Sequence, residues 1–388
     1  MNFDEHIDRR NTHSSKWDMM EPLFGISPDD GLSMWVADMD FRPPQAVQNK
    51  LAEVIKHGVY GYFGDDGPYL DAIQWWMKNR HSWDVPRDGI FTTHGLVNGT
   101  AMCVDTFTAP GDGVVLFTPV YYQFSEKIRA NNREVIELPL INNNGRYEMD
   151  FEVYDAVLPA HARMIILCSP HNPGGRVWSR KELEQVAAFA KRHDLILVSD
   201  EIHHDLTFGV KHTPMALIED ISDRLIMMTA STKTFNIAGS HTGNVIISDL
   251  ELRAQFSKRM QALGLSPNAF GMHMAAAAYS PAGAQWVDQL MSYIDGNRKV
   301  FDAGINAIPG VKSMDLDSTY LAWVDFSGTG MPLDQVIIRV QEQAKIATNL
   351  GPTFGTGGES FLRFNLGTTR KNVERAVANM QMAFADLQ

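Results

Sequence analysis

Four polar or aromatic side chains follow four apolar, strand-like runs of the chain. They are Tyr121, Asn172, Asp200 and Lys233. In open α/β sheets, ligands bind beyond the carboxyl ends of the parallel strands. Parallel pairing of these runs would bring an aromatic ring, an amide, a carboxylate and an amine to one edge. Each residue alone has an ordinary explanation in the core, in a turn or in solvent, but the set of four predicts a site.

One chemistry uses all four groups. A lysine amine condenses with an aldehyde cofactor, and a carboxylate pairs with a pyridinium nitrogen so that the ring accepts electrons. An amide can hold the ring hydroxyl, and an aromatic face can stack on the ring. Burial lowers the pKa of a lysine and makes its amine a nucleophile and a base. The residues therefore predict pyridoxal 5'-phosphate as the cofactor and Lys233 as the catalytic residue.

The phosphate of such a cofactor also needs a site. Gly95 precedes an apolar, helix-compatible stretch, and the backbone N–H groups of Gly95, Leu96 and Val97 would lie at the helix N-terminus, where anions bind. Ser231 and Thr232, beside the lysine, could add hydroxyl donors. The absence of GxGxxG and Walker A motifs disfavours a nucleotide enzyme. No spacing among the thirteen histidines indicates a metal site.

The elements that must position these residues alternate along the middle of the chain. The strand-like runs lie at residues 111–119, 163–169, 195–201, 224–230 and 243–248. One intervening helix has Ser179 as its cap and Glu182 three residues later, which is a capping box. Continuous apolar strands that alternate with helices predict an α/β fold with a mostly parallel sheet flanked by helices.

The pattern changes after about residue 282. A long helical region leads to two strand-like runs, a further helix and the run SFLRFNLGTT, which indicates a smaller α+β domain. We expect a large domain at residues 45–282 and a small domain formed by residues 1–44 together with 283–388.

Composition excludes several classes of protein. The chain has 388 residues, 44% of them apolar, which suits a large core rather than disorder. Its net charge of -12 argues against nucleic-acid and anionic-membrane partners. Two cysteines allow no disulfide framework. The charged N-terminus is unlike a signal peptide, and no apolar run approaches a membrane span. We therefore expect a soluble, cytoplasmic protein.

Beyond these patterns, the chain resembles a fold-type I pyridoxal-phosphate enzyme of the class-I/II aminotransferase superfamily. The motifs that carry the resemblance are, in order, SPHNPGGRVW, SDEIHHDL, STKTFNIAG and FLRFNLGTTR. Near the start, DRRNTHSSKWD, MWVADMDFRPP and GVYGYF are similar to the MalY/PatB group of cystathionine β-lyases, also called C–S lyases.

The resemblance implies roles by position. Lys233 is the Schiff-base lysine, Asp200 the pyridinium partner, Asn172 the ligand of the ring hydroxyl and Tyr121 the stacking ring. The remaining cofactor-binding residues that it implies are Gly95, Leu96, Val97, His203 and Thr232.

It also implies the contacts of an amino-acid substrate and of a second subunit. Arg363 binds the substrate α-carboxylate with its planar fork. Trp35 and Ala37 line the substrate entrance. Tyr62 reaches the phosphate of the neighbouring subunit, so we expect a homodimer with shared active sites.

Two positions depart from the pattern of the resemblance. Ala230 stands where many relatives carry a serine, and His241 stands where aspartate aminotransferase-like members carry an arginine. We expect the phosphate to have fewer charge-assisted hydrogen bonds, with Thr232 and His241 taking a share.

The implied function is an α,β-elimination in amino-acid metabolism, which cleaves cystathionine or related cysteine S-conjugates to a thiol, pyruvate and ammonia. The cofactor motifs alone suit an aminotransferase equally well, and only the N-terminal motifs favour the lyase. Two further alternatives stay open: a regulatory protein that binds a transcription factor, and a non-catalytic α/β binding protein.

Overall fold

The computed structural model describes residues 1–387. The strands are β1 (Leu32–Ser33), β2 (Ile90–Thr93), β3 (Gly113–Thr118), β4 (Glu134–Pro139), β5 (Ile141–Asn143), β6 (Arg146–Glu148), β7 (Ala162–Cys168), β8 (Ile196–Asp200), β9 (Leu225–Thr229), β10 (Gly243–Ile247), β11 (Lys312–Ser313), β12 (Leu321–Asp325), β13 (Ile346–Ala347), β14 (Asn349–Leu350) and β15 (Phe361–Asn365).

The α-helices are α1 (Ser15–Asp18), α2 (Met20–Phe24), α3 (Gln45–His57), α4 (Gly67–His81), α5 (Leu96–Phe107), α6 (Tyr122–Ala130), α7 (Phe151–Val157), α8 (Arg180–Arg192), α9 (Ser231–Thr234), α10 (Leu250–Leu263), α11 (Ala269–Ala278), α12 (Pro281–Ile305), α13 (Leu333–Ile337) and α14 (Arg370–Ala383). The predicted capping box at the start of α8 is present.

The larger of the two main sheets has seven strands, in the order β2-β10-β9-β8-β7-β3-β4. The predicted, mostly parallel sheet is confirmed. The last of the predicted strands, β10, differs from its neighbours because it pairs antiparallel with both β9 and β2. The segment between β9 and β10 stays at the carboxyl edge of β9, so the next strand starts at that edge and runs back.

The strands are apolar throughout because helices cover both faces of the sheet. All six residues of β3 are buried. Val115 and Phe117 pack into one core cluster, whereas Val114 and Leu116 pack into another. Successive side chains of a strand point to opposite faces, so two cores require a continuous apolar run.

The C-terminal region forms a four-stranded antiparallel sheet, in the order β11-β12-β15-β14, against α12 and α14. Helix α12 begins at the predicted boundary. Trp286, near its start, packs in the core beneath the large sheet, while Phe301 belongs to the C-terminal core. The predicted domain limits stay a prediction.

The N-terminal segment contacts both regions. Strand β1 pairs in parallel with β13, whereas Phe3 and Met39 pack in the core of the large sheet. No helix of residues 1–387 is long and apolar enough to cross a membrane.

A buried ion pair anchors this N-terminal segment. The Lys16 side chain is fully buried, and its Nζ lies 3.1 Å from Asp40 Oδ2. Trp17 Nε1 and Arg9 Nη1 each donate to Asp40 Oδ1 at 3.0 Å. Burial by itself raises the pKa of Asp40, but the Lys16 charge, the Trp17 hydrogen bond and the Arg9 charge outweigh it and lower that pKa.

Replacing Lys16 by methionine is expected to lower the free energy of unfolding by about 3–5 kcal/mol, because Asp40 stays buried with less opposite charge. Since the folded-state pKa of Asp40 is lowered, its contribution to stability is present above the unfolded-state pKa and is lost as pH falls. The difference between variant and wild type should therefore shrink below about pH 4. Urea unfolding of the ligand-free protein at several pH values measures it.

Lys50→Met is the matched control. Lys50 pairs with Glu53 on an exposed helical surface, so its loss should cost less than about 1 kcal/mol. Equal losses of unfolding free energy in the two lysine variants would show that the buried ion pair stabilises the fold no more than the exposed one.

Candidate active site

A cavity of about 240 Å³ opens at the carboxyl ends of the parallel strands. The predicted site residues that line it are Ala37, Gly95, Leu96, Val97, Tyr121, Asn172, Asp200, His203, Thr232 and Lys233. The fold thus brings the four strand-end residues together, as the topology of a parallel sheet requires.

Three predicted residues lie outside this lining. Arg363 is buried and contacts Asn172, and it also binds the backbone of Trp35. Tyr62 is fully exposed and lines a separate surface depression with Tyr60 and Phe270. Within one chain, therefore, Tyr62 does not contribute to the cavity.

Lys233 lies in α9, the short helix after β9. Its Nζ donates to the Ala37 carbonyl oxygen at 2.7 Å, and Tyr320 Oη donates to the same oxygen at 2.9 Å. Burial lowers the pKa of Lys233 to about 8, and the Arg363 charge acts in the same direction, while Asp38 and Asp200 oppose it. The amine is therefore far easier to deprotonate than an exposed lysine.

Asp200 is the last residue of β8. Its Oδ1 accepts a hydrogen bond from the Ile202 N–H at 3.1 Å. Burial raises the pKa of Asp200 to about 7, and the Glu201 charge adds to this, whereas the Ile202 hydrogen bond and the Lys233 charge lower it. A carboxylate held in this way gains from a cationic partner in the cavity.

Arg363, in β15, is buried behind Asn172, which lines the cavity. Its Nη1 donates to Asn172 Oδ1 at 3.0 Å, and its Nη2 donates to Asn349 Oδ1 at 2.6 Å. The guanidinium carbon lies 5.1 Å from the centre of the Phe354 ring. Arg363 Nε is buried with no hydrogen-bond partner among residues 1–387. A buried guanidinium with an unused donor suits an anionic ligand.

Two side chains of the cavity stay neutral. Burial raises the pKa of Tyr121. Burial lowers the pKa of His203 to about 3, and the charges of Lys233 and Arg363 add to the effect. His203 Nδ1 is buried and has no hydrogen-bond partner in the described part of the chain. It is therefore available to a neutral or anionic ligand group.

An anion-binding corner is formed by the start of α5 and the start of α9. Gly95 has a φ of 81°, a conformation that favours glycine, and it precedes the twelve-residue helix α5. The first N–H groups of a helix have no partner within it. Ser231 Oγ is buried and unpaired among the described residues, and Thr232 and His241 also line the cavity.

Residues 36–41, which we call the strap, cross over Lys233. Two asparagines hold this strap. Asn236 accepts from the Met39 N–H and donates to the Met39 and Phe41 carbonyl groups, all at 2.7–2.8 Å. Asn365 Nδ2 donates to the Val36 and Asp38 carbonyl groups. The strap thereby keeps the Ala37 carbonyl group beside the lysine amine.

Sequence reasoning missed three residues of the site. Tyr320 and Asn349 come from the C-terminal region, and no strand-end pattern marks them. Tyr320 donates to the acceptor that it shares with Lys233, whereas Asn349 Oδ1 accepts from Arg363. Asp38 supplies negative charge near Lys233. It lies in the motif MWVADMDFRPP, whose carboxylates were the available signal.

These features fit pyridoxal 5'-phosphate. The N-terminus of α5, with Thr232 and His241 in the same cavity lining, suits a phosphate group. The raised pKa of Asp200 suits a pyridinium partner, and the lowered pKa of Lys233 suits condensation with an aldehyde. The roles of the individual residues stay predictions.

Comparison with known proteins gives a consistent result. The family described as aminotransferase class I and II matches residues 37–380. Cystathionine beta-lyase PatB of Bacillus subtilis (strain 168) is 40% identical over 99% of this chain and 100% of its own. Protein MalY of Escherichia coli (strain K12) is 30% identical over 97% of both chains.

Among solved structures, cystalysin from Treponema denticola, which contains a pyridoxal 5'-phosphate cofactor, is 34% identical. It superimposes with a TM-score of 0.95 over 100% of this chain and 99% of its own. The fold is therefore that of the fold-type I pyridoxal-phosphate transferases.

Replacing Arg363 by methionine is expected to raise the pKa of Lys233 from about 8 toward 10.5, because the guanidinium charge no longer disfavours the ammonium form. A small amine-reactive acylating reagent, applied to the ligand-free protein across a pH series, labels the neutral amine. Mass spectrometry then gives the midpoint of labelling at Lys233.

Arg339→Met is the matched control, since Arg339 pairs with Asp386 at the surface. Its labelling profile should superimpose on that of the wild type. A midpoint that is the same in both arginine variants would refute a charge effect of Arg363 on Lys233.

Proposed function

Because the chain belongs to the aminotransferase class I and II family, we propose that it is a pyridoxal-phosphate-dependent carbon–sulfur β-lyase. It cleaves cystathionine or related cysteine S-conjugates to a thiol, pyruvate and ammonia. The observation that carries the proposal is the buried Lys233 amine, which shares one cavity with the Asp200 carboxylate and the Asn172 amide. The full-length likeness to PatB supports the reaction type.

When bound, pyridoxal phosphate supplies an aldehyde for amines and a protonated ring that accepts an electron pair. Lys233 Nζ, whose pKa is lowered to about 8, takes the proton from the substrate Cα. The Asp200 carboxylate would pair with the ring nitrogen of the cofactor and keep it protonated. Asn172 and Tyr121, which line the same cavity, would hold the ring hydroxyl group and the ring face.

Arg363 and residues at the strap would bind the substrate. The guanidinium of Arg363 pairs with the α-carboxylate, and Asn172 and Asn349 hold its fork in place. Ala37 lies on the strap that covers Lys233, and Trp35 directly precedes the strap, so both would lie at the entrance. Burial of the amine strengthens its electrostatic interactions with Asp38, Asp200 and Arg363.

We also propose that the active unit is a cytoplasmic homodimer with shared active sites. Three observations support an interface: Tyr62 is fully exposed, Tyr60 is largely exposed, and Phe270 lies beside them in one depression. Exposed aromatic groups of this kind are typical of interfaces between chains. Tyr62 would then bind the phosphate in the partner's cavity.

The lyase predicts sustained release of pyruvate and free thiol from L-cystathionine when no keto acid is added. Each turnover regenerates the starting enzyme, so product should exceed enzyme many times over. Lys233→Ala should abolish turnover, because no other amine among the cavity-lining residues replaces Nζ.

The same assay separates the alternative function. An aminotransferase would instead convert the cofactor once, in stoichiometric amount, to its amino form and would need a keto acid to continue. Full activity of Lys233→Ala would refute the assignment of the catalytic lysine.

The dimer predicts complementation between two inactive or weakened variants. Lys233→Ala and Tyr62→Phe homodimers each carry the same defect in both sites. In a mixed dimer, one site receives both defects and the other receives none. Activity should therefore rise above the sum of the two variants after they are unfolded and refolded together.

The control mixes Lys233→Ala with Asp200→Ala, two residues that line the same cavity of one chain. Because each site takes both of these residues from the same chain, both sites of the mixed dimer carry a defect. The activity of this mixture should therefore not exceed the average of the two variants. Additive activity in the Tyr62 mixture would argue that Tyr62 serves no second site.

A further inference from the structure

A cluster of five buried ionisable side chains lies beside the turns that carry Asp200 and Lys233, outside the lining of the cavity. Its members are His81, Glu201, His204, Asp205 and His212. All belong to helix α4 or to the segment that follows β8, and the lyase chemistry uses none of them directly.

Asp205 joins three elements of the fold. Its carboxylate accepts from Trp76 Nε1 at 3.1 Å and lies 2.9 Å from His81 Nε2, both on α4. It also accepts from Thr234 Oγ1 at 2.8 Å. Thr234 directly follows Lys233 in α9. One buried carboxylate therefore connects α4 to the turn that presents the lysine.

Asp205 also forms a buried ion pair. His204 Nε2 lies 3.1 Å from Asp205 Oδ2. Burial by itself lowers the pKa of His204, but the Asp205 charge outweighs it and raises that pKa. His81 behaves differently, since burial and the His204 charge lower its pKa to about 4. The Asp205 carboxylate therefore favours the protonated form of His204, whereas His81 is held in its neutral form.

The same three side chains have the composition of a metal site, because one ligand atom from each of His81, His204 and Asp205 falls within 4.8 Å of the others. The contacts within the cluster argue for a hydrogen-bonded network rather than a metal site. Thr234 and Trp76 already donate to the Asp205 oxygens, and His204 Nε2 faces the same carboxylate at 3.1 Å. The Asp205 oxygens are therefore already engaged by protein groups.

Asp200 experiences this network through charge. The protonated His204 lowers the pKa of Asp200, against the larger effect of burial. Glu201 acts in the opposite direction, although its own carboxylate lies 2.7 Å from His212 Nε2 and accepts from Ser199 Oγ. The ionisable groups that face Asp200 are Cys168, Tyr121, Glu201, His204 and Lys233.

We propose that Asp205 is a positioning residue of the active site: it fixes Thr234, and with it the turn that presents Lys233, and it pairs with His204 on the segment that follows Asp200. The proposal rests on the roles given above to Lys233 and Asp200. It assigns one buried carboxylate two tasks, one mechanical and one electrostatic, and each task has its own test.

The mechanical task is tested with Thr234→Ala in the holoenzyme. Loss of the hydroxyl frees the turn, so kcat should fall on the order of tenfold while KM changes less than about twofold. Thr234→Ser restores the hydroxyl and should recover most of the loss. Thr229→Ala is the matched control, because Thr229 is equally buried and its Oγ1 has no partner within residues 1–387.

A structural role alone predicts a different pattern. Thr234→Ala would then lower the thermal midpoint more than Thr229→Ala, because only Thr234 donates to Asp205, and both variants would keep kcat near the wild-type value. Equal kcat values in these two variants would overturn the mechanical task.

The electrostatic task is tested with His204→Gln, whose amide can still donate to Asp205. The readout is the dissociation constant of pyridoxal phosphate, measured with ligand-free protein across a pH series. In the wild type, affinity should weaken as pH falls through about 7, where Asp200 takes up a proton. In the variant, this weakening should begin at a higher pH than in the wild type, since the charge of His204 no longer lowers the pKa of Asp200.

His161→Gln is the control, because His161 is exposed and pairs with Glu134 at the surface. Its affinity profile should match that of the wild type, and an identical match by His204→Gln would overturn the electrostatic task. The binding profile does not depend on lyase turnover. A shifted profile without pyruvate release would therefore contradict the proposed function and leave the network intact.

Discussion

Burial of one amine sets the requirements that the rest of the site meets. Lys233 Nζ is buried, and a buried ammonium group must be compensated or must give up its proton. The Ala37 carbonyl group accepts its hydrogen bond, and Asp38 and Asp200 supply negative charge. Burial and Arg363 nevertheless hold its pKa near 8. The amine is thereby kept at the balance between charged and neutral forms that proton transfer needs.

The N-terminal segment must be held in place because its Ala37 carbonyl group accepts the hydrogen bond of the lysine amine. Buried backbone groups must be hydrogen-bonded, and the strap meets that demand through Asn236 and Asn365 rather than through a sheet. Its anchor, the pair of Lys16 and Asp40, is likewise polar and buried. The N-terminal segment needs only short strands and short helices, because side-chain hydrogen bonds fix its path instead of backbone hydrogen bonds between strands.

The sequence predicted those parts of the site that depend on local order along the chain. Tyr121, Asn172, Asp200 and Lys233 each follow a strand, so a parallel sheet alone brings them together. The direction of β10 escaped prediction because its apolar pattern is the same in either direction.

Residues that meet only through tertiary contacts also escaped prediction. Tyr320 reaches the lysine through a shared carbonyl oxygen, and the cluster around Asp205 joins positions more than a hundred residues apart. The reversed strand β10 has a further consequence for synthesis on the ribosome. Strand β2 leaves the ribosome early, yet its neighbour in the sheet is β10. Helix α5, which contributes to the anion-binding corner, therefore cannot take its final position on a nascent chain until β10, which ends at Ile247, has emerged. A partly synthesised chain thus has an incomplete cofactor-binding site.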